Sequence, residues 1–188
     1  MRFWLTIVCA AIVGLYTTSL WATETAQPAA SFPKGTFSLT LDGGYAQSFD
    51  SSDARIETTS VGFGYYFIDN MAINVELAGY GIQQPGPDAT VGGGDLLLRH
   101  HLLTFDPFSI FIDVGGGAWY GTARFPEGGT NFNFSIETGL GATYRLRDNL
   151  YLIGGARYLH FSNAHLEGPI RNPSINAIEG YVGVMFTF

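Results

Sequence analysis

Near the C-terminal end of the chain an imidazole and a hydroxyl stand two residues apart, His160 and Ser162, in the run Arg157-Tyr158-Leu159-His160-Phe161-Ser162-Asn163-Ala164. On an extended strand, side chains two apart leave the same face, so these two groups can meet while Arg157 points the other way. An imidazole beside a hydroxyl is the minimum for nucleophilic catalysis: the ring takes the proton and the oxygen attacks an acyl carbon. The ring then needs a third group on its far nitrogen, to hold the tautomer and offset the imidazolium charge. Glu179, in the last segment, is the acid the sequence offers. An antiparallel hairpin with Glu179 opposite His160 also sets Phe188 opposite Tyr151, level with a turn at Asp148-Asn149. The bland alternative for His160 and Ser162 is a polar pair without chemistry on the rim of a sheet.

Composition limits what can hold such a pair. The 188 residues are 46% hydrophobic and only 13% charged, with 25 Gly and a formal net charge of -7. Charged residues are scarce against the roughly 25% of a soluble domain, and an acidic chain has no basic stripe for phosphates, which argues against nucleic acid as a partner. A single cysteine, Cys9, excludes both a disulfide framework and a cysteine metal site. No Gly-x-Ser-x-Gly elbow, phosphate loop or His-Glu-x-x-His helix is present, so no cofactor or metal is implied. His100 and His101 are adjacent and point to opposite faces, which suits structural roles better than a shared ion. Arg2 followed by an apolar run to Ala22 reads as a secretory signal peptide over 1–22, and 23–33 as a short disordered lead-in.

From residue 34 to 188 the pattern has period two. Apolar residues alternate in Phe37-Leu39-Leu41-Tyr45, Val61-Phe63-Tyr65-Phe67, Ile73-Val75-Leu77, Leu96-Leu98-His100-Leu102, Phe108-Ile110-Ile112-Val114 and Phe132-Phe134-Ile136. A seventh segment starts at Leu150-Leu152 and an eighth runs from about Ile175 to Phe188. Short turns at Asp69-Asn70, Asp106-Pro107 and Asp148-Asn149 alternate with long polar links at 47–54, 83–93, 122–130 and 163–174. An even number of amphipathic strands, short turns at one end and long loops at the other predict an all-β fold, an eight-stranded antiparallel transmembrane β-barrel integral to the bacterial outer membrane. With the apolar faces outward, Asp42, Glu76, Asp95, Asp113 and Glu137 fall inside with Arg99, Arg145 and Arg157, where the charges can pair. Trp119 reads as girdle or lumen packing. A soluble lipocalin-like barrel would invert this pattern, and eight strands leave no aqueous channel for a porin.

On this barrel His160 and Ser162 face outward. His160 lies about 11 residues above the Asp148-Asn149 turn, roughly 28 Å at ~3.3 Å per residue and ~40° tilt, against an apolar band about 25 Å tall. The pair therefore sits where outer-leaflet acyl chains meet headgroups. One conflict attaches to Glu179: strict alternation places it and Phe188 on opposite faces, while the terminal aromatic should face lipid. A β-bulge between them would reconcile the two.

The hairpin His160-Phe-Ser162-Asn163-Ala164, a loop, then Asn176-Ala-Ile-Glu179-Gly-Tyr181 resembles the terminal hairpin of the PagL-type lipid A 3-O-deacylases, an outer-membrane acyloxyacyl hydrolase family. The close match covers about 25 residues, with topology alone in support elsewhere. The resemblance implies a metal-free Ser-His-Glu esterase on the outer barrel surface that acts on lipopolysaccharide. It gives His160 as general base, Ser162 as nucleophile, Glu179 as orienting acid and Asn163 as oxyanion donor. The loop Gly168-Pro-Ile-Arg-Asn-Pro173 is longer than the family's usual connection and leaves Asn172 and Asn176 open as further polar helpers. Two other readings stand beside it: a non-catalytic barrel, adhesin or envelope-stabilising, which has no need of a His-Ser-Glu set, and a phospholipase, separated only by the substrate consumed.

Overall fold

The computed structural model describes residues 32–188; the expected signal peptide, Cys9 and all but the end of the lead-in lie outside the described residues. Eight strands follow one another: β1 Phe37–Ser48, β2 Arg55–Ile68, β3 Met71–Gln83, β4 Ala89–Phe105, β5 Phe108–Gly121, β6 Phe132–Arg147, β7 Leu150–Ser162 and β8 Ile175–Thr187. Each pairs antiparallel with its neighbour, and β8 returns to β1, so the sheet is a closed barrel with no free edge. The alternation decides the faces. Phe37, Leu39, Leu41, Phe63, Val75, Leu77, Leu96, Phe134 and Ile136 are exposed on the outside, and the residues between them are buried. Two-residue turns close one end at 69–70, 106–107 and 148–149, and Asn70 there takes the positive φ of 61° that such a turn favours.

The long-loop end differs from expectation in one place. The link expected over 83–93 is only 84–88, because Gly92-Gly93-Gly94 continues β4 and pairs with both β3 and β5. A glycine tract reads as a breaker, but here it makes room: a Cβ on Gly93 would stand 2.6 Å from the Trp119 ring. Trp119 fills the lumen, stacked on Tyr80 at 4.3 Å.

Three layers fill the interior, whereas the charge pattern alone suggested a polar one. An apolar layer near the long loops contains Ile56, Tyr80, Ile82, Val91, Trp119, Phe125 and Phe161, and a second near the short turns contains Phe32, Tyr66, Phe111, Tyr151 and Met185. Phe32, assigned to the lead-in, is buried there against Tyr66, His101 and Tyr151 and so belongs to the plug. Between the layers Arg157 meets Glu76 at 2.9 Å, Glu137 at 3.2 Å and Glu179 at 3.6 Å, and Arg99 grips Asp113 with two bonds of 2.8 and 2.7 Å. Buried ions are tolerated best when paired, and this belt sets its two guanidiniums against carboxyls from β3, β5, β6 and β8. Asp42 is half-buried and faces the same belt. Arg145 departs from its expected place: it stands at the short-turn rim, ion-paired with the exposed Asp106, because the lumen opens at that level.

Candidate active site

The outward face of β7 carries Tyr158, His160 and Ser162, and the inward face buries Arg157, Leu159 and Phe161. Ser162 is the last residue of β7, at the long-loop mouth. Across β6, Ile136 lies opposite His160 and Phe134 opposite Ser162, both exposed on the barrel's outer surface. The polar pair is thus set among side chains that face acyl chains. Phe49, from the loop between β1 and β2, adds an exposed ring 6.2 Å from that of Tyr158.

His160 Nε2 lies 3.1 Å from Ser162 Oγ, and Nδ1 lies 2.8 Å from Asn176 Oδ1. Asn176 is the residue of β8 opposite His160. Its Oδ1 also accepts a bond from the Tyr158 hydroxyl at 2.6 Å. Behind it, Asn176 Nδ2 and the Asn176 backbone N–H both donate to Asp50 Oδ2 at 2.7 Å, and Nδ2 reaches Ser174 Oγ at 3.2 Å. Asp50 sits in the loop that follows β1, so this contact spans the β1–β8 seam where the barrel closes. Its other oxygen accepts from the Ser52 N–H at 3.0 Å and from the Ser52 hydroxyl. Burial alone would raise the Asp50 carboxyl, but bonds from Ser52 and Asn176 outweigh it and hold the group below its ordinary value of 3.8.

Glu179 is not part of this chain of contacts. It is 3% exposed on the lumen face, opposite Arg157, and accepts a 2.6 Å bond from Thr58. The expected register paired it with His160; the observed register pairs His160 with Asn176, three residues earlier, and a shift by an odd number reverses the face. No bulge interrupts the β7–β8 or β8–β1 pairing, so strict alternation holds and Phe188 faces outward. The bulges lie at the short-turn rim instead, at Tyr66/Ile68, His101/Leu103 and Arg145/Arg147.

Asn163 also turns inward, at 1% exposure. Its amide donates to Arg171 O at 2.6 Å and Thr130 Oγ1 at 3.2 Å, and its oxygen accepts from the His165 N–H at 3.0 Å. It pins the loop after β7 and has no donor directed at Ser162. Asn172 remains in that loop, 3.4 Å from His165. The resemblance left Asn176 open beside Asn172, and Tyr158 and Asp50 carried no signal. Asp50 is 126 residues from Asn176 in sequence, and nothing local to the loop marks it. Among the described residues no group of three or more His, Cys, Asp or Glu is placed to share a metal ion.

An outward-apolar closed barrel of eight strands is the architecture of the small integral outer-membrane proteins, and this one bears a hydroxyl–imidazole pair on its lipid-facing surface. Residues 13–185 match the family model described as lipid A 3-O-deacylase (PagL), and the chain belongs to that family. Among solved structures the chain is similar to the Neisserial surface protein NspA, at 18% identity and a TM-score of 0.64 over 82% of this chain and 100% of that one. It is also similar to OprG from Pseudomonas aeruginosa, at 14% identity and a TM-score of 0.57 over 85% and 99%. The outer membrane enzyme PagL gives 14% identity and a TM-score of 0.53 over 77% and 97%. At these identities the likeness is one of fold. No curated protein sequence matches the chain.

Proposed function

We propose that the protein removes the 3-O-linked acyl chain of lipid A, as a serine esterase working at the outer-leaflet interface. His160 Nε2 takes the Ser162 proton, Oγ attacks the ester carbonyl, and collapse of the tetrahedral intermediate breaks the bond to the sugar oxygen, which leaves with the proton from His160. Water then attacks the acyl-serine, again deprotonated by His160, releasing the fatty acid and restoring the hydroxyl. Asn176 occupies the far-nitrogen position where the family resemblance put Glu179, in the manner of the Cys-His-Asn sets of other hydrolases. The Asn163 amide being committed to its loop and the His165 N–H to Asn163 Oδ1, the oxyanion is assigned to the Ala164 N–H in the turn after Ser162, where Ala164 and His165 take positive φ.

One observation carries the reading: in a chain of this family, His160 bridges a hydroxyl and a fixed amide on a surface that faces acyl chains. Mass spectrometry of lipid A from cells that express the protein tests it. The expected result is a mass loss equal to one hydroxyacyl chain. Intact lipid A with hydrolysed glycerolipids would make the protein a phospholipase, and no hydrolysis of either would leave a non-catalytic barrel.

A further inference from the structure

We propose that Asp50 is a positioning residue for this reaction: by fixing which way the Asn176 amide points, it sets the tautomer of His160 and so makes Ser162 the proton donor. This rests on the reading of His160 and Ser162 as base and nucleophile. A carboxylate only accepts hydrogen bonds, and an asparagine side chain has one donating and one accepting end. Asp50 Oδ2, 2.7 Å from the Asn176 side chain, therefore demands Nδ2 on its side. Oδ1 is left facing His160 at 2.8 Å, and an amide oxygen can only accept, so His160 Nδ1 must carry the proton. Nε2 then holds the lone pair, 3.1 Å from Ser162 Oγ, as a general base requires. Tyr158 strengthens the same choice, since its hydroxyl also donates to Oδ1.

An isolated His-Asn pair would not decide this. With the amide reversed, Nδ2 would donate to Nδ1, Nε2 would carry the proton, and the ring could no longer accept one from Ser162. Asp50 makes the reversed state costly because it would set the amide oxygen against a carboxylate. Its hold is itself anchored by the Asn176 backbone N–H at 2.7 Å and by both donors of Ser52. Asp50 comes from the loop that follows β1 and Asn176 from β8, so the tautomer is set only when the barrel has closed.

The test uses the full-length protein, refolded in detergent or lipid, with folding checked by heat-modifiable migration. Two readouts are taken on each variant: kcat and KM for lipid A, and the rate at which a small fluorophosphonate labels Ser162, which reports serine activation without the lipid substrate. Asp50→Asn is expected to lower kcat and labelling together by roughly tenfold to a hundredfold, the scale of loss from misoriented catalytic groups, with KM nearly unchanged. Asn176→Asp alone should also be poor, because two carboxylates would abut. The double exchange Asp50→Asn/Asn176→Asp should recover labelling to within about tenfold of wild type, since a carboxylate now accepts directly from His160 Nδ1. Unchanged labelling in Asp50→Asn, or a loss confined to KM, would overturn the proposal. So would a double exchange no better than the single variants, or wild-type protein that does not label at Ser162. If wild type labels, the variants behave as expected and lipid A is untouched, the substrate reading fails while the positioning role stands; if lipid A is cleaved but Asp50→Asn is indifferent, the reverse holds.

Discussion

The β7–β8 hairpin carries two polar clusters, three residue pairs apart and on opposite faces. Inside, Arg157 stands opposite Glu179 in a belt with Glu76 and Glu137; outside, His160 stands opposite Asn176 with Ser162 and Asp50. The inner cluster is sealed between two apolar layers, and its ions are held by one another. The outer cluster has an imidazole and an amide next to the proposed nucleophile, and its single carboxylate one residue further back. The difference follows from what each face meets. Charged groups buried in a lumen need partners of opposite sign, while a site proposed to take and return a proton needs an imidazole whose two nitrogens have unequal partners.

The largest expected effect is chemical. Ser162→Ala should lower deacylation at least about a thousandfold, roughly 4 kcal/mol in the transition state, with unfolding in urea unaltered. A residual rate above that bound, measured on purified protein, would remove Ser162 as nucleophile. Arg157→Ala should do the opposite: removing the guanidinium strands three buried carboxyls and costs about 3–5 kcal/mol of stability, while turnover per folded molecule stays within about twofold. If turnover collapsed with it, the two clusters would not be independent. Glu179→Gln sharpens the contrast, because the family resemblance and the structure disagree about this residue. From its lumen position the change should cost only about 1 kcal/mol, since Arg157 keeps two other partners and Thr58 can still donate, and activity should be spared. Lost turnover at full stability would return Glu179 to the site.

The smallest effect concerns pH. Asp50 is held below its ordinary value of 3.8, so the folded state binds that proton less readily than the unfolded chain. The stabilisation from its bonds is complete above 3.8 and is lost as pH falls through the lower folded value. The hydrogen-exchange protection factor of the Asn176 N–H, which donates to Asp50, should therefore be flat from neutral pH to about 4 and drop below it, and Asp50→Asn should abolish the drop. A decline already under way at pH 6 would contradict this assignment.

Much of the fold was legible in the sequence because a barrel strand repeats a simple rule. Alternation alone placed Phe37, Leu39 and Leu41 outside and Glu76, Asp113 and Glu137 inside, and turn residues at Asp69-Asn70 and Asp148-Asn149 marked the strand ends. The same rule put His160 and Ser162 on one outward face, so the contact between the two was legible as well. The rule is blind to glycine, which has no side chain to assign to a face; Gly92 and Gly93 therefore read as loop until Trp119 showed what the space holds.

What alternation cannot supply is register between strands joined by a long loop. Residues 163–174 can be crossed with several offsets, and each step of one residue exchanges lumen for lipid. Only closure against β1, together with the pairing of Arg157 with Glu179 in the interior, selects the offset that turns Glu179 inward and brings Asn176 to His160. Asp50 lies further still from local reach. It meets Asn176 because the first and last strands are neighbours, a contact across 126 residues that exists only once the sheet has become a barrel.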